Sequence, residues 1–404
     1  MIPVEEARQR MLAAFAPLPA ETVSLTDALG RVLALDVRAR LSQPWAAVSA
    51  MDGYAVRSAD VASAPVDLRR VGDVPAGGRF DRPLGPGECV RIFTGAPLPA
   101  EADAIVIQED AVADGTMVRV AEPVPAGRYV RPAGLDFREG DVLLKAGRLL
   151  TARDIGLAAA MNVPWLSVRR RPRVAILSTG DEIVMPGEPI GPSQIVSSNG
   201  PALAALVLAC GGIPINLGVV RDDPVALASV ADAARGADLL ITTGGASVGE
   251  HDLIRDALST RGLELDFWKI AMRPGKPLMF GRLGETPLLG LPGNPVSTMV
   301  CALLFARPIL HTLAGLPDRS DTSTAVLGRD LPANDRRQDY LRSALAPAVG
   351  GGLPVATPFQ RQDSSMMSLL AQADCLLVRP PHAPPARAGE QVPIVTFPSG
   401  MIGI

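Results

Sequence analysis

The sequence predicts a multidomain α/β and β protein in which a central, doubly wound parallel sheet is flanked by a mostly-β N-terminal region and a small C-terminal β domain. Three observations predict it. The 404 residues exceed what one hydrophobic core holds and suggest roughly two to three domains. Residues 172–317 alternate strand-like and helix-like apolar runs, the pattern of a parallel sheet covered on both faces. On either side the chain changes to short β-like runs broken by Gly and Pro, of which there are 39 and 38.

In the first region, residues 1 to about 165, the runs Arg31–Val37, Glu88–Thr94 and Ala104–Gln108 read as strands, with turns at Pro75–Gly78 and Pro97–Pro99. Apolar spacing of three to four at Val4–Phe15 and Ala152–Met161 predicts helices at its edges. This suggests a mostly-β segment inserted between helix-bearing flanks. In the central region Arg173–Ser178 reads as a buried strand, and Pro201–Cys210 as a helix capped by Ser198 or Asn199, with Pro201 at N1 and Gly211-Gly212 beyond its end. Next come strand Ile215–Val220, a helix opening at Asp223-Pro224, strand Asp238–Thr242, a helix over Glu250–Thr260 and strand Leu265–Ile270. A hairpin-like pair, Leu278–Phe280 and Pro287–Leu289, and a long helix from Pro295 complete it. No 20–50-residue repeat is present.

Composition narrows the function. The chain is 48% hydrophobic and 20% charged, and 39 Lys+Arg against 42 Asp+Glu give a net charge of -3. That balance argues against general affinity for nucleic acid; the Arg169–Arg173 cluster reads mainly as a solvated linker. Four scattered cysteines and three histidines make a zinc or iron site unexpected, so a metal here would be a hard cation held by carboxylates, Mg²⁺ above all. The amino terminus is acidic with an early proline, so no signal peptide is expected. Arg307, Pro308 and His311 interrupt the most apolar segment, Val296–Leu316, so no membrane span is expected and the protein reads as cytosolic.

Ligands on parallel sheets bind at the carboxyl ends of the strands. The ends here are Ser178–Glu182, Arg221–Asp223, Thr242–Asp252, Lys269–Lys276 and Leu291–Ser297. Glycines and small hydroxyls let backbone N–H groups approach an anion, which makes Thr242–Gly245 and Pro292–Ser297 phosphate-site candidates as well as ordinary turns. Lys269, Arg273 and Lys276 place three cations within eight residues. Asp181, Glu182, Asp222, Asp223, Glu250 and Asp252 supply acids at the same edge. An anion cradle facing carboxylates is the composition of Mg²⁺-assisted phosphate chemistry. The spelling Gly245-Ala-Ser247-Val-Gly249 also fits a hydrolase nucleophile elbow. The triad would then need His311 or His382, one in an apolar helix and one in a proline-rich turn of another domain, so hydrolysis by Ser247 is not expected. In the first region Asp52-Gly53 and Thr94-Gly95 are the sharpest features, each equally readable as a turn.

Six segments now occur in one order: Met51-Asp-Gly-Tyr-Ala-Val, Phe93-Thr-Gly-Ala-Pro, Ser178-Thr-Gly-Asp-Glu, Gly244-Gly-Ala-Ser-Val-Gly-Glu, Lys269 to Arg273-Pro-Gly-Lys276-Pro, and Leu291-Pro-Gly-Asn-Pro-Val-Ser. Together they resemble the MoeA family of molybdopterin molybdenumtransferases, which includes the E domain of gephyrin, over nearly the whole chain. The resemblance implies an elongated, dimerising N-terminal domain (1–45 and 130–170), an inserted β domain (46–129), a molybdopterin-binding α/β domain (171–317) and a C-terminal β-barrel (318–404). It implies insertion of molybdate into adenylylated molybdopterin with release of AMP, Mg²⁺ as the divalent ion, and a cytoplasmic homodimer with sites shared between subunits. Contact with the adenylyltransferase partner and with molybdoenzyme maturation proteins is implied as well.

By the same resemblance Thr179, Gly180, Asn199, Gly244, Gly245, Ser247, Gly249, Pro292, Gly293, Asn294, Pro295 and Ser297 hold the substrate, and Ser364 matches a C-terminal serine at the site. Lys269, Arg273 and Lys276 hold phosphate or molybdate. Asp52, Thr94 and Asp136 complete the site from another domain, that of the partner subunit, and Glu182, Asp222 and Asp252 match acids needed for activity. Two departures stand out: Arg273 where the family often has Lys, which turns a point charge into a fork, and Ser197 where many members have Asp. A scaffold that keeps the fold without the chemistry, and a preference for tungstate, are the alternatives left open.

Overall fold

The computed structural model describes residues 1–221, 223, 226, 232–244, 262–317, 322–348 and 351–397. Its central sheet has six strands in the order Ile213–Val220, Arg173–Thr179, Leu239–Thr243, Thr286–Leu291, Met279–Leu283, Leu263–Trp268. The first four run parallel. The last two are antiparallel: a hairpin joins Met279–Leu283 to Thr286–Leu291, and Leu263–Trp268 pairs with it from the edge. The sheet is therefore mixed, because the tight Leu283–Thr286 connection can only reverse the chain.

Helix Asn199–Ala209 and the continuous helical run 295–313, with a π-helical stretch over Ala302–Ala306, cover one face. That run is long and apolar enough to cross a bilayer by composition. Instead Val296, Val300, Phe305, Ile309 and Leu310 are buried among Val174, Ile176, Ile241 and Leu289 of the sheet. Helix Val4–Ala13 packs into this same core through Val4, Ala7 and Met11.

The inserted region forms a six-stranded sheet ordered Ala104–Ile107, Gly53–Val56, Glu88–Ile92, Val66–Val74, Met117–Val120, Ala111–Asp114. Short ribbons support it: Val48–Ser49 with Val130–Arg131, Val37–Arg38 with Val142–Leu144, and Ala20–Ser24 with Trp165–Arg169. The strand expected over Arg31–Val37 is reduced to bridges from Val32 and Leu33 and the pair Val37–Arg38, since its partners are themselves two to five residues long. At the C-terminus Gln338–Ala346, Val355–Pro358, Thr322–Leu327, Gln391–Thr396 and Cys375–Arg379 pair in turn and the last returns to the first, which closes a five-stranded barrel. Met272–Arg273 of the central region adds a further short strand beside Gln338–Asp339.

Candidate functional site

The parallel register sets the ends of three strands side by side, so that Thr179-Gly180, Thr243-Gly244 and Leu291-Pro292-Gly293 meet at one edge. Backbones approach closely there. A Cβ on Gly244, whose φ is +94°, would lie 2.1 Å from the Thr179 carbonyl oxygen, so only glycine fits. Gly293 stands against it, with Gly244 Cα 3.5 Å from where its own Cβ would be. Ser198 precedes helix Asn199–Ala209 without a side-chain capping bond. The Asn199 amide crosses the sheet edge instead, donating to Thr243 Oγ1 at 2.8 Å and to the Gly293 carbonyl at 2.7 Å. Thr298 Oγ1 donates to the Pro292 carbonyl at 2.5 Å. These bonds stitch three loops into a rigid floor.

Above that floor lies a cleft of about 640 Å³ lined by Ser178, Thr179, Glu182, Ser197, Ser198, Asn199, Thr243, Gly244, Pro277, Pro292, Gly293, Asn294, Pro295, Ser297 and Ser365, among others. Among the described residues its lining mixes hydroxyls and amides with apolar side chains such as Ile183, Ile195 and Val196 and is nearly uncharged, with Glu182 the one ionisable side chain. Thr179 Oγ1 and Asn199 Oδ1 are buried beside it with no hydrogen-bond partner, an arrangement that costs stability. Gly180, at φ +142°, turns the chain so that Glu182 folds back over it. Not every backbone donor is open, because the Val296 N–H is taken by the Ser364 carbonyl at 3.1 Å.

The cationic loop is fixed by its backbone. Lys269 adopts φ +82°, its N–H donates to the Leu278 carbonyl at 3.0 Å, and its ammonium sits 4.1 Å from the Trp268 ring centroid. Ile270 and Leu278 both donate to the Lys276 carbonyl, and Gly275 lies too near Cys301 Sγ to carry a side chain, 2.4 Å from a built Cβ. Pro277, the residue after Lys276, lines the cleft, while Lys269 and Lys276 are not themselves among its lining residues. Arg273 is differently employed: its guanidinium forks onto the buried Asp339 carboxylate of the barrel, with Nε–Oδ1 at 2.9 Å, and reaches Asp335 at 3.5 Å. The Asp339 bond raises the arginine above its ordinary pKa. This cation is committed to joining two domains.

The barrel returns a loop to the cleft. Ser364 Oγ accepts from Asn294 Nδ2 at 3.0 Å, and Ser365 joins the lining. Behind them Arg342, 1% exposed, donates to Gln362 Oε1 at 3.2 Å and to the Asp363 carbonyl at 2.7 Å. Both acceptors are neutral, and burial pushes this guanidinium below its ordinary pKa. No carboxylate is bonded to it directly, though the nearby Asp363 charge partly offsets the cost of burying it. Arg342 sits mid-strand with no flanking motif to mark it in the sequence. Burial along that strand does not alternate, so no strand pattern marks Arg342 as inward-facing.

Asp52 and Thr94 come together in the inserted domain. The Thr94 N–H and hydroxyl both donate to Asp52 Oδ1 at 2.8 Å, and those two bonds, backbone first, lower the carboxyl below its ordinary pKa with help from the Arg91 charge. The hinge of this clasp is again obligatory glycine: a Cβ on Gly53 would lie 2.0 Å from the Val106 carbonyl. Asp136 is exposed farther along the supporting ribbon, its N–H donating to Gln43 at 2.9 Å. Neither Asp52, Thr94 nor Asp136 lines the cleft. Asp222, Gly245, Ser247, Gly249 and Asp252 lie outside the described residues.

Residues 2–162 match the family described as MoeA N-terminal region (domain I and II), residues 175–312 a probable molybdopterin binding domain, and residues 324–397 the MoeA C-terminal region (domain IV). The chain is 37% identical over 388 residues to the molybdopterin molybdenumtransferase of Nostoc sp., covering 94% of this chain and 89% of that one. The chain belongs to the MoeA family. Its Haemophilus influenzae relative of the same description is 33% identical over 404 residues, 98% of this chain and 99% of its own length. Among solved structures, the molybdopterin biosynthesis MoeA protein of Pyrococcus horikoshii superposes with a TM-score of 0.87 at 31% identity, covering 99% of this MoeA chain and all of the other.

Proposed function

We propose that the chain inserts molybdate into adenylylated molybdopterin and releases AMP. It is a transferase of molybdenum cofactor biosynthesis. The observation that carries the detailed reading is the cleft where Gly244 and Gly293 abut: a preformed, nearly uncharged floor whose lining includes Pro277, the residue that follows Lys276. Such a floor binds the pterin phosphate end of the substrate through hydroxyl and amide groups of Thr179, Asn199 and Ser297, while the two lysines meet the phosphates. Gly180, Pro292, Asn294 and Pro295 shape that floor. Molybdate, the second substrate, is held at the barrel loop by Ser364 with the charge of Arg342 behind it. Arg273 keeps that loop and the lysines in register through Asp339.

Hydrolysis of the phosphoanhydride frees AMP, and the dithiolene sulfurs then replace oxygens on molybdate, which leave as water. Mg²⁺ is the ion this chemistry ordinarily uses. Among the described residues no group of three or more His, Cys, Asp or Glu can hold a metal, and Glu182 is the one acid lining the cleft. The described residues alone do not form a Mg²⁺ site, Asp222 and Asp252 lying outside them, and no step is assigned to the ion.

Asp52, Thr94 and Asp136 act, in this reading, on the cleft of a second copy in a cytoplasmic homodimer. The copy has a surface to bind: Leu35 (63% exposed) and Trp165 (59%) flank a groove of about 370 Å³ on the N-terminal region. The deciding experiment supplies adenylylated molybdopterin with and without molybdate and measures AMP. Molybdate-dependent AMP release with formation of active cofactor is expected; none at all would leave a scaffold.

A further inference from the structure

We propose that Arg91 is a positioning residue for Asp52, holding the carboxylate in the orientation its role requires. The inference rests on the reading of Asp52 as a group that acts at the cleft.

The geometry begins with strand pairing. Strands Gly53–Val56 and Glu88–Ile92 are antiparallel, with Tyr54 directly opposite Arg91. Alternation along the strand brings Phe93 to the same face as Arg91. The Arg91 guanidinium lies over both rings, 5.1 Å from the Tyr54 centroid and 5.0 Å from that of Phe93. Its N–H groups are aimed at the backbone that carries Asp52. Nη1 donates to the Gly53 carbonyl at 3.3 Å, and Nη2 to Gln108 Oε1 at 2.7 Å. Gln108 in turn donates its own backbone N–H to the Asp52 carbonyl at 3.1 Å. Arg91 therefore holds the Gly53 carbonyl directly and, through Gln108, borders the carbonyl of Asp52 itself.

A planar, five-donor cation stacked on two rings has little freedom to swing. Its nearness favours the ionised form of Asp52. Both Thr94 donors fall on Asp52 Oδ1, so Oδ2 is the oxygen offered outward. Without Arg91 the clasp keeps its Thr94 bonds but loses the fixed backbone direction from which Oδ2 points. Phe93, 37% exposed, would then also lose the group that packs its ring.

The test is a mutant cycle on the full-length protein, measuring kcat and KM for molybdate-dependent AMP release. Arg91→Met is expected to lower kcat about tenfold with KM changed less than about threefold, and Arg91→Lys, which keeps the charge and the ring contact, to recover about a third of kcat or more. The decisive arm is Arg91→Met in the Asp52→Asn background: a residue acting through Asp52 costs less than about twofold there. The same factor in both backgrounds overturns the proposal, as does wild-type kcat in Arg91→Met when Asp52→Asn is impaired. Wild-type kcat in Asp52→Asn overturns it too, and with it the role given to Asp52. If Arg91→Met shows no cooperative melt, Gln108→Leu takes its place. It is expected to lose about two- to fivefold in the wild-type background and nothing in Asp52→Asn; equal losses in both again overturn the proposal.

Discussion

The cleft of the central sheet and the Asp52–Thr94 clasp of the inserted domain are built in opposite ways. The cleft is concave, and its loops use their polar groups on one another: Asn199 on Thr243 and Gly293, Thr298 on Pro292. Its described lining carries one ionisable group, Glu182. The clasp stands on the surface and concentrates its chemistry in a single carboxylate held by two short bonds. One region offers shape and the other offers charge. Among the described residues neither region carries both, and the proposed site shared by two copies would bring them together.

Breaking the shape has the largest expected effect. Gly244→Ala forces a Cβ against the Thr179 carbonyl at a positive φ, and activity should fall about a hundredfold or more as the floor shifts by an ångström. Substrate binding by calorimetry should weaken in step, and a variant that binds normally would refute the rigid floor. Breaking the charge comes next. Asp52→Asn keeps size and the Thr94 contacts, so kcat should drop by about 10² while the melting temperature stays put. A change confined to KM would make the clasp a binding element instead.

Mixing sharpens the comparison. Gly244→Ala and Asp52→Asn are each defective at a different half, so co-refolded subunits should regain about a quarter of wild-type activity if the halves meet across a dimer. No recovery would mean that each chain closes its own site. The smallest effect is on stability alone. Arg82 and the Gly85 N–H hold Glu88 down from 4.5 to about 2, with Arg69 beside it. The stabilisation is present above about pH 4.5 and is lost as pH falls toward 2. Thermal melts from pH 6 to 2.5 should therefore decline more steeply for wild type than for Glu88→Gln, with catalysis at neutral pH equal in both.

The strand–helix alternation made the central sheet legible, because buried parallel strands and their helices leave strong periodic runs. The antiparallel edge was partly visible as a hairpin and partly not, since Leu263–Trp268 looks the same in either direction. Glycine-rich strand ends marked the cleft, for the physical reason that close backbone approach excludes every other residue. Two features were hidden. Arg273 reads as a third substrate cation until Asp339, 66 residues later, takes its fork. Arg342 has no motif around it at all. The first depends on a contact between the central region and the barrel and the second on contacts within the barrel, and no local pattern encodes either.

That junction also determines how parts of this fold could be exchanged. The two-residue strand Met272–Arg273 belongs to the central chain segment but hydrogen-bonds as a member of the barrel's edge. A chimera cut at the obvious boundary near residue 321 would graft a foreign barrel onto a native Lys269–Lys276 loop and mismatch Arg273 with whatever replaces Asp339. The transferable cassette is discontinuous: residues 269–276 travel with 322–397 or the lysines lose their alignment.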